Sequence, residues 1–276
     1  MAEKIRFLKM SGAGNDFVVI DNRAGIVPEP ATTFAARVCA RQAAVGADGL
    51  LLLEKSSRKD FRMRYFNTDG SEAEMCANGA RCITRFAALV GAVGRSTDFE
   101  NLAGDFHAAL IDEDRVRLDM TEPHSLRLDV EVETLGRRLK LHSLNTGVPH
   151  VVLPWEELDD APVRELGRAL RYHEAFAPKG TNVNFVRVTG PEDIQVRTYE
   201  RGVEDETLAC GTGSVASAIL LARLGRVKPP VAVTVRSGAV LTVHFELDGD
   251  SVRHVALEGP AVVLFEGELD LAAFGY

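Results

Sequence analysis

CGTGSVASAILLARLG (residues 210–225) has a partner earlier in the chain, CANGARCITRFAALVG (76–91). Each begins at a cysteine, passes a short turn containing glycine, runs through apolar residues and reaches a helix-stopping glycine, Gly225 or Gly91. The two cysteines are 134 residues apart. At nearly the same interval GNDFVVI, from Gly14, lies over GVPHVVL, from Gly147, and GADGLLLLE lies over GTNVNFVRV when Gly49 is set on Asn182, both at an offset of 133. RYFNTDGSEAEMC over RTYERGVEDETLAC sets Asn67 opposite Glu200 with one extra residue in the second copy, and RLDMTEP over HVALEGP closes the halves at Pro123 and Pro260. Ordered matches at offsets of 133 to 137 mark an internal duplication.

Within each half, β-rich segments such as KIRFLKM, DFVVIDN, GLLLLEK, FRMRYFN and RVRLDM recur, while TTFAARVCARQ and the stretch after each aligned cysteine carry helical patterns. The post-cysteine stretches ITRFAALV and VASAILLA are apolar almost all round, as suits a helix enclosed by sheet rather than one lying on a surface. The expected fold is α+β: two pseudo-symmetric domains, each a mainly antiparallel sheet or barrel wrapped round a central helix, with the active site in the cleft between them. The first domain is expected over 1–122, joined by the returning segment 262–276, and the second over 123–261.

With 276 residues, 46% hydrophobic and 26% charged, the chain has the balance of a soluble globular protein. A formal charge of −8 disfavours nucleic acid and anionic membrane as partners, since both are gripped by Lys/Arg clusters that this sequence lacks. No apolar run reaches the roughly 20 residues of a bilayer crossing, and MAEKIRFLKMSGAGNDF has charges near its start and no long apolar stretch. A cytoplasmic protein acting on a small molecule is expected. Four cysteines, Cys39, Cys76, Cys82 and Cys210, are too sparse for a disulfide scaffold, and none sits at metal-ligand spacing.

A cysteine at a helix start faces unpaired N–H groups and the positive end of the helix dipole, which stabilises its thiolate and makes it a usable base near neutral pH. Glycines after it let the backbone approach a ligand, so a carboxylate there would collect several N–H donors. Cys76 and Cys210 on opposite sides of one cleft could take a proton from an amino-acid α-carbon and return it on the other face. Cys39 and Cys82 have no such setting and read as core.

MSGAGNDFVVID, FNTDGSEAEMCANGARC and YERGVEDETLACGTGS resemble the diaminopimelate epimerase family, and ordered matches extend along nearly the whole chain. The resemblance implies a cofactor-independent enzyme interconverting L,L- and meso-diaminopimelate, on the bacterial route to lysine and peptidoglycan, and commonly a homodimer. It casts Cys76 and Cys210 as the base and acid pair, with backbone N–H groups around Ala77, Asn78, Gly211 and Thr212 on the reacting carboxylate. Asn15, Asn67, Asn182, Glu200 and Arg201 fall on its substrate-binding positions, where amides, a guanidinium and a carboxylate suit a second amino-carboxylate head. His150 and Glu200 match positions that assist proton removal from the thiols. No lysine lies in the motifs to form a Schiff base, so no cofactor is expected.

Four departures from the family pattern stand out: Ala77 in CANG where a glycine is usual, for which an ordinary helical start is expected; Val148 in GVPH; the extra residue in ERGVEDET, where many members have a shorter loop; and Gly49 where some relatives are polar. Two rival readings are a two-thiol racemase for another amino acid such as proline, and a thiol redox switch in which Cys76 and Cys210 form a disulfide.

Overall fold

The computed structural model describes residues 4–276. In chain order, the first part runs β1 (Lys4–Gly12), β2 (Asn15–Asp21), α1 (Ala31–Cys39), β3 (Gly49–Glu54), β4 (Phe61–Asn67), β5 (Glu72–Ala73), α2 (Ala77–Leu89), β6 (Ser96–Asn101), β7 (Gly104–Leu110) and β8 (Arg115–Asp119). There follow β9 (His124–Thr134), β10 (Arg137–Asn145), β11 (Pro149–Pro154), α3 (Val163–Arg171), β12 (Asn182–Val188), β13 (Asp193–Glu200), β14 (Asp205–Thr207), α4 (Gly211–Arg223), β15 (Val231–Thr234), β16 (Val240–Asp248), β17 (Ser251–Pro260) and β18 (Val262–Asp270). The chain forms two compact units, one up to Leu118 together with Gly259–Tyr276, the other Asp119–Glu258. These seams lie a few residues before those drawn from the sequence.

The pairing pattern is the same in both units. In the first, β1 lies antiparallel to β2 and β18, β2 runs parallel to β3, β3 antiparallel to β4, β4 antiparallel to β5 and parallel to β6, and β6 antiparallel to β7. In the second, β10 lies antiparallel to β11 and β9, β11 parallel to β12, β12 antiparallel to β13, β13 antiparallel to β14 and parallel to β15, and β15 antiparallel to β16. Each unit is thus mostly sheet, mainly antiparallel, with two parallel pairings.

A helix fills the inside of each. α2 touches β1, β2, β3, β4 and β7, and α4 touches β10, β11, β12, β13, β15 and β16. Both helices start after an extended cysteine and stop alike. Gly91 and Gly225 are left-handed, at φ 68° and 69°. At each stop the next N–H reaches back to close a Schellman turn, Ala92 to Ala87 O at 2.8 Å and Arg226 to Leu221 O at 2.9 Å. The outer helices complete the cores: α1 buries Phe34 and Val38 against Leu50, Leu52 and Phe66, and α3 buries Leu166 and Leu170 among Leu141, Val151, Phe185 and Tyr199. Each such side chain contributes roughly 1.5–3 kcal/mol of burial.

Two residues before the apolar stretch ITRFAALV, Arg81 lies in α2 and is fully buried.

Candidate active site

In each unit, residues expected from the sequence lie at and beside the start of the central helix. In the first, Cys76 has extended backbone (φ −136°, ψ 114°) and caps α2, its Sγ accepting the Gly79 N–H at 3.4 Å. Ala77 begins the helix with ordinary geometry, so the side chain there costs the turn nothing. Asn78, buried, donates to Asn15 Oδ1 at 2.6 Å and accepts from Arg81 Nη2 at 2.7 Å. Asn15 in turn donates to Asp48 Oδ2 at 3.0 Å, and Arg41 joins Asp48 to Asp16 at 2.8 and 2.7 Å. Buried Lys9 closes the chain on Asp16 at 2.8 Å. The helix start is pressed closely onto β1: a Cβ on Gly12 would sit 2.7 Å from the Asn78 carbonyl oxygen.

Asn67 lies at the end of β4, donating to Ser71 Oγ at 3.1 Å. The Gly49 departure has a steric reason. A Cβ there would fall 2.5 Å from the Tyr65 ring and 2.6 Å from the Phe66 carbonyl oxygen, so no polar side chain fits.

In the second unit Cys210 (φ −123°, ψ 107°) precedes α4, and its Sγ lies 3.6 Å from Thr212 Oγ1. Thr146 Oγ1 donates to the Thr212 carbonyl at 3.1 Å, tying the β10–β11 turn to the helix start. Asn182 donates to Pro149 O at 3.0 Å and accepts the Arg201 N–H at 2.8 Å, so one amide sets both the His150 strand and the Arg201 backbone. Burial raises the Glu200 carboxyl above its ordinary range, opposed in part by the Thr207 hydroxyl.

His150 is buried, and its environment fixes its proton. The Val151 carbonyl can only accept, so Asn184 must present its Nδ2 there at 2.9 Å; the same Nδ2 then lies 3.2 Å from His150 Nδ1, while Asn184 Oδ1 accepts from Thr198 Oγ1 at 2.9 Å. Nδ1 is therefore the acceptor, and the proton sits on Nε2. Burial, with Arg201 adding repulsion, holds the imidazole pKa down to about 3. A neutral ring with its acceptor nitrogen engaged presents Nε2–H as a hydrogen-bond donor. Its Nε2 is buried with no partner among the described residues.

The remaining cysteines behave as core. Burial raises Cys39 and Cys82 to about 12, so neither is a thiolate near neutral pH. Among the described residues no group of three His, Cys, Asp or Glu side chains is placed to hold a metal, and no helix is long and apolar enough to cross a membrane. Sequence reasoning missed Arg81, Asn184 and Thr198. Asn184 had a signal, since it repeats Asn182 two positions later on one face of β12.

The family model described as diaminopimelate epimerase matches residues 7–126 and 142–263. The chain belongs to the diaminopimelate epimerase family. It is 45% identical over 291 residues to the diaminopimelate epimerase of Aquifex aeolicus (strain VF5), covering 99% of this chain and 100% of that one. It is 43% identical over 278 residues to that of Hydrogenobaculum sp. (strain Y04AAS1), covering 96% and 99%. Among solved structures, a Bacillus anthracis phenazine biosynthesis protein of the PhzF family shares the fold at a TM-score of 0.74 and 16% identity, covering 97% of this chain and 99% of that one. A probable proline racemase from Agrobacterium radiobacter shares it at 0.70 and 18%, covering 97% and 93%. The epimerase family's two-unit, mostly sheet architecture is the one described above.

Proposed function

We propose that this chain interconverts L,L- and meso-diaminopimelate by a two-base reaction at Cys76 and Cys210. The observation that carries the reading is a family member in which both cysteines cap the two buried central helices at equivalent positions. One thiolate takes the α-proton as the Cα–H bond breaks, and the other thiol releases its proton to the opposite face of the same carbon. The two sulfurs exchange protonation states, and no atom is gained or lost. Negative charge building on the substrate carboxylate is met by N–H groups of Ala77, Asn78, Gly211 and Thr212, at the positive ends of α2 and α4.

Asn15, Asn67 and Asn182, with Glu200 and Arg201, would hold the distal amino-carboxylate head. Each of the three amides spends one N–H on the protein, leaving a second, already oriented, for a ligand. His150 Nε2–H adds a donor, which a ligand oxygen would satisfy. The same reading includes a cytoplasmic homodimer serving lysine and peptidoglycan precursor synthesis.

The test is NMR in D2O with L,L-diaminopimelate: meso product appears with deuterium at one α-carbon, and Cys76→Ala and Cys210→Ala each cut the rate about a thousand-fold. Either alanine variant epimerising at the wild-type rate sinks the two-base assignment, and turnover of proline in place of diaminopimelate sinks the substrate.

A further inference from the structure

Arg81 is a fully buried guanidinium in the second turn of α2. Its hydrogen-bond partners are Asn78 Oδ1 at 2.7 Å, the Ala77 carbonyl at 3.3 Å and the Pro260 carbonyl at 3.4 Å, all neutral. A buried cation without an anion is strongly destabilising, and here it stands beside a helix N-terminus, itself positive. Burial lowers Arg81 to about 10, and the charges that reach it are Cys82, Cys76 and, repulsively, Arg115.

The candidates for its counter-ion are few. On α2 itself, Cys82 stays a neutral thiol and Arg85 is a second cation. From the packed strands, Lys9 and Asp16 neutralise each other, Asp16 and Asp48 share Arg41, and Arg64 pairs with Glu72 and Glu54. On β7, Asp105 pairs with Arg58 and Lys59 and His107 with Asp98; on β17, Glu258 faces His244 at 3.2 Å; and Arg115, on β8, adds positive charge. That leaves Cys76, whose Sγ caps the turn over which the Arg81 guanidinium folds back. On α4 the equivalent position, 134 residues later, is Val215.

We infer that Arg81 is a positioning residue that holds Cys76 as the resting thiolate, so the duplicated site starts each cycle charged on its first half, with Cys210 as the thiol. Arg81 acts through Cys76 and touches no substrate. The inference rests on the two-thiol reading above, but its test uses no substrate, so absence of epimerisation would leave it standing and its own failure would leave the epimerase reading standing.

The experiment is alkylation by iodoacetamide across pH, with the modified cysteine mapped by mass spectrometry, on the full chain. In the wild type the Cys76 midpoint falls at least about one pH unit below that of Cys210. Arg81→Met raises the Cys76 midpoint by about one unit or more, slowing its alkylation at neutral pH about ten-fold, and leaves Cys210 in place; Arg81→Lys keeps the charge and restores most of the shift. An unmoved Cys76 midpoint in folded Arg81→Met, or a Cys210 midpoint at or below that of Cys76 in the wild type, overturns the assignment. Should Arg81→Met fail to fold, the wild-type order of the two midpoints decides.

Discussion

α2 and α4 touch equivalent strands, and on those strands positions 133 residues apart, centred on Leu51 beside Gly79 and Asn184 beside Gly213, carry opposite chemistry. Under Cys76 they are Phe17, Leu51 and Tyr65, with Phe17 and Tyr65 in edge contact at 6.0 Å. Under Cys210 they are His150, Asn184 and Thr198, joined by hydrogen bonds. At Gly79 the first helix start meets the Leu51 methyl, which can yield by rotation, although Asn78 beside it is held by Asn15. The second lies on a hydrogen-bonded network in which Asn184 serves His150 Nδ1, the Val151 carbonyl and Thr198, and only His150 Nε2 has no partner among the described residues. Duplication has kept the backbone while the supporting layer has diverged, and the cation has gone to the half with the apolar support.

The sharpest way to break this comparison is to add one methyl to each helix start. A Cβ on Gly213 would lie 2.3 Å from Asn184 Oδ1, an atom held in place on both sides, whereas on Gly79 it would meet the tip of Leu51 at 3.2 Å. Gly213→Ala should cost about 4 kcal/mol or prevent folding, and Gly79→Ala under about 1 kcal/mol, by urea denaturation. Equal costs would show that the two supports are equally yielding.

Exchanging the supports comes next. Asn184→Leu copies the first unit's residue into the second and strands the Thr198 hydroxyl, His150 Nδ1 and the Val151 carbonyl. It should cost about 3 kcal/mol in the same assay.

A pH series separates the halves by one proton. The His150 pKa is depressed from 6.5 to about 3 in the folded chain. The stability it contributes is therefore present above pH 6.5 and lost as pH falls through that window. The slope approaches about 1.4 kcal/mol per pH unit. His150→Phe, which copies Phe17, should remove this slope between pH 6.5 and 5 whatever its absolute stability. An unchanged acid limb would mean that the imidazole is not held neutral.

The smallest contrast is in a feature both halves share. Arg64 grips Glu72 with two bonds of 2.9 Å, and Arg197 grips Glu206 at 2.7 and 2.9 Å, each pair fastening a short strand just before a cysteine. The second pair is the better buried, at 13% side-chain exposure for both partners against 18% and 23%. Arg197→Met should cost about 2 kcal/mol and Arg64→Met about 1.

The fold was legible because duplication repeats every signal: the alternating strands, the glycine stops and the helix after each cysteine all recur in order. Less legible were the features set by tertiary partners. β5 is two residues long, pairs with β4 and has its Glu72 gripped by Arg64. Arg81 lies just before the apolar stretch ITRFAALV, and only the enclosing sheet reveals that a cation is buried there. His150 was visible as a candidate, but its tautomer depends on an amide 34 residues away whose orientation is set by a carbonyl. A histidine's pKa follows from burial and neighbours, which a linear pattern does not contain.

The first unit is made from both ends of the chain: β18 lies along β1 from Lys4 opposite Asp270 to Ser11 opposite Val262. The second unit is contiguous, Asp119–Glu258. During translation, then, the half bearing Cys210 has all its strands while the ribosome still holds the one that must cover β1. Until Val262–Asp270 emerges, β1 offers a bare row of amides to any other nascent chain, so the order of synthesis decides which half is exposed to aggregation.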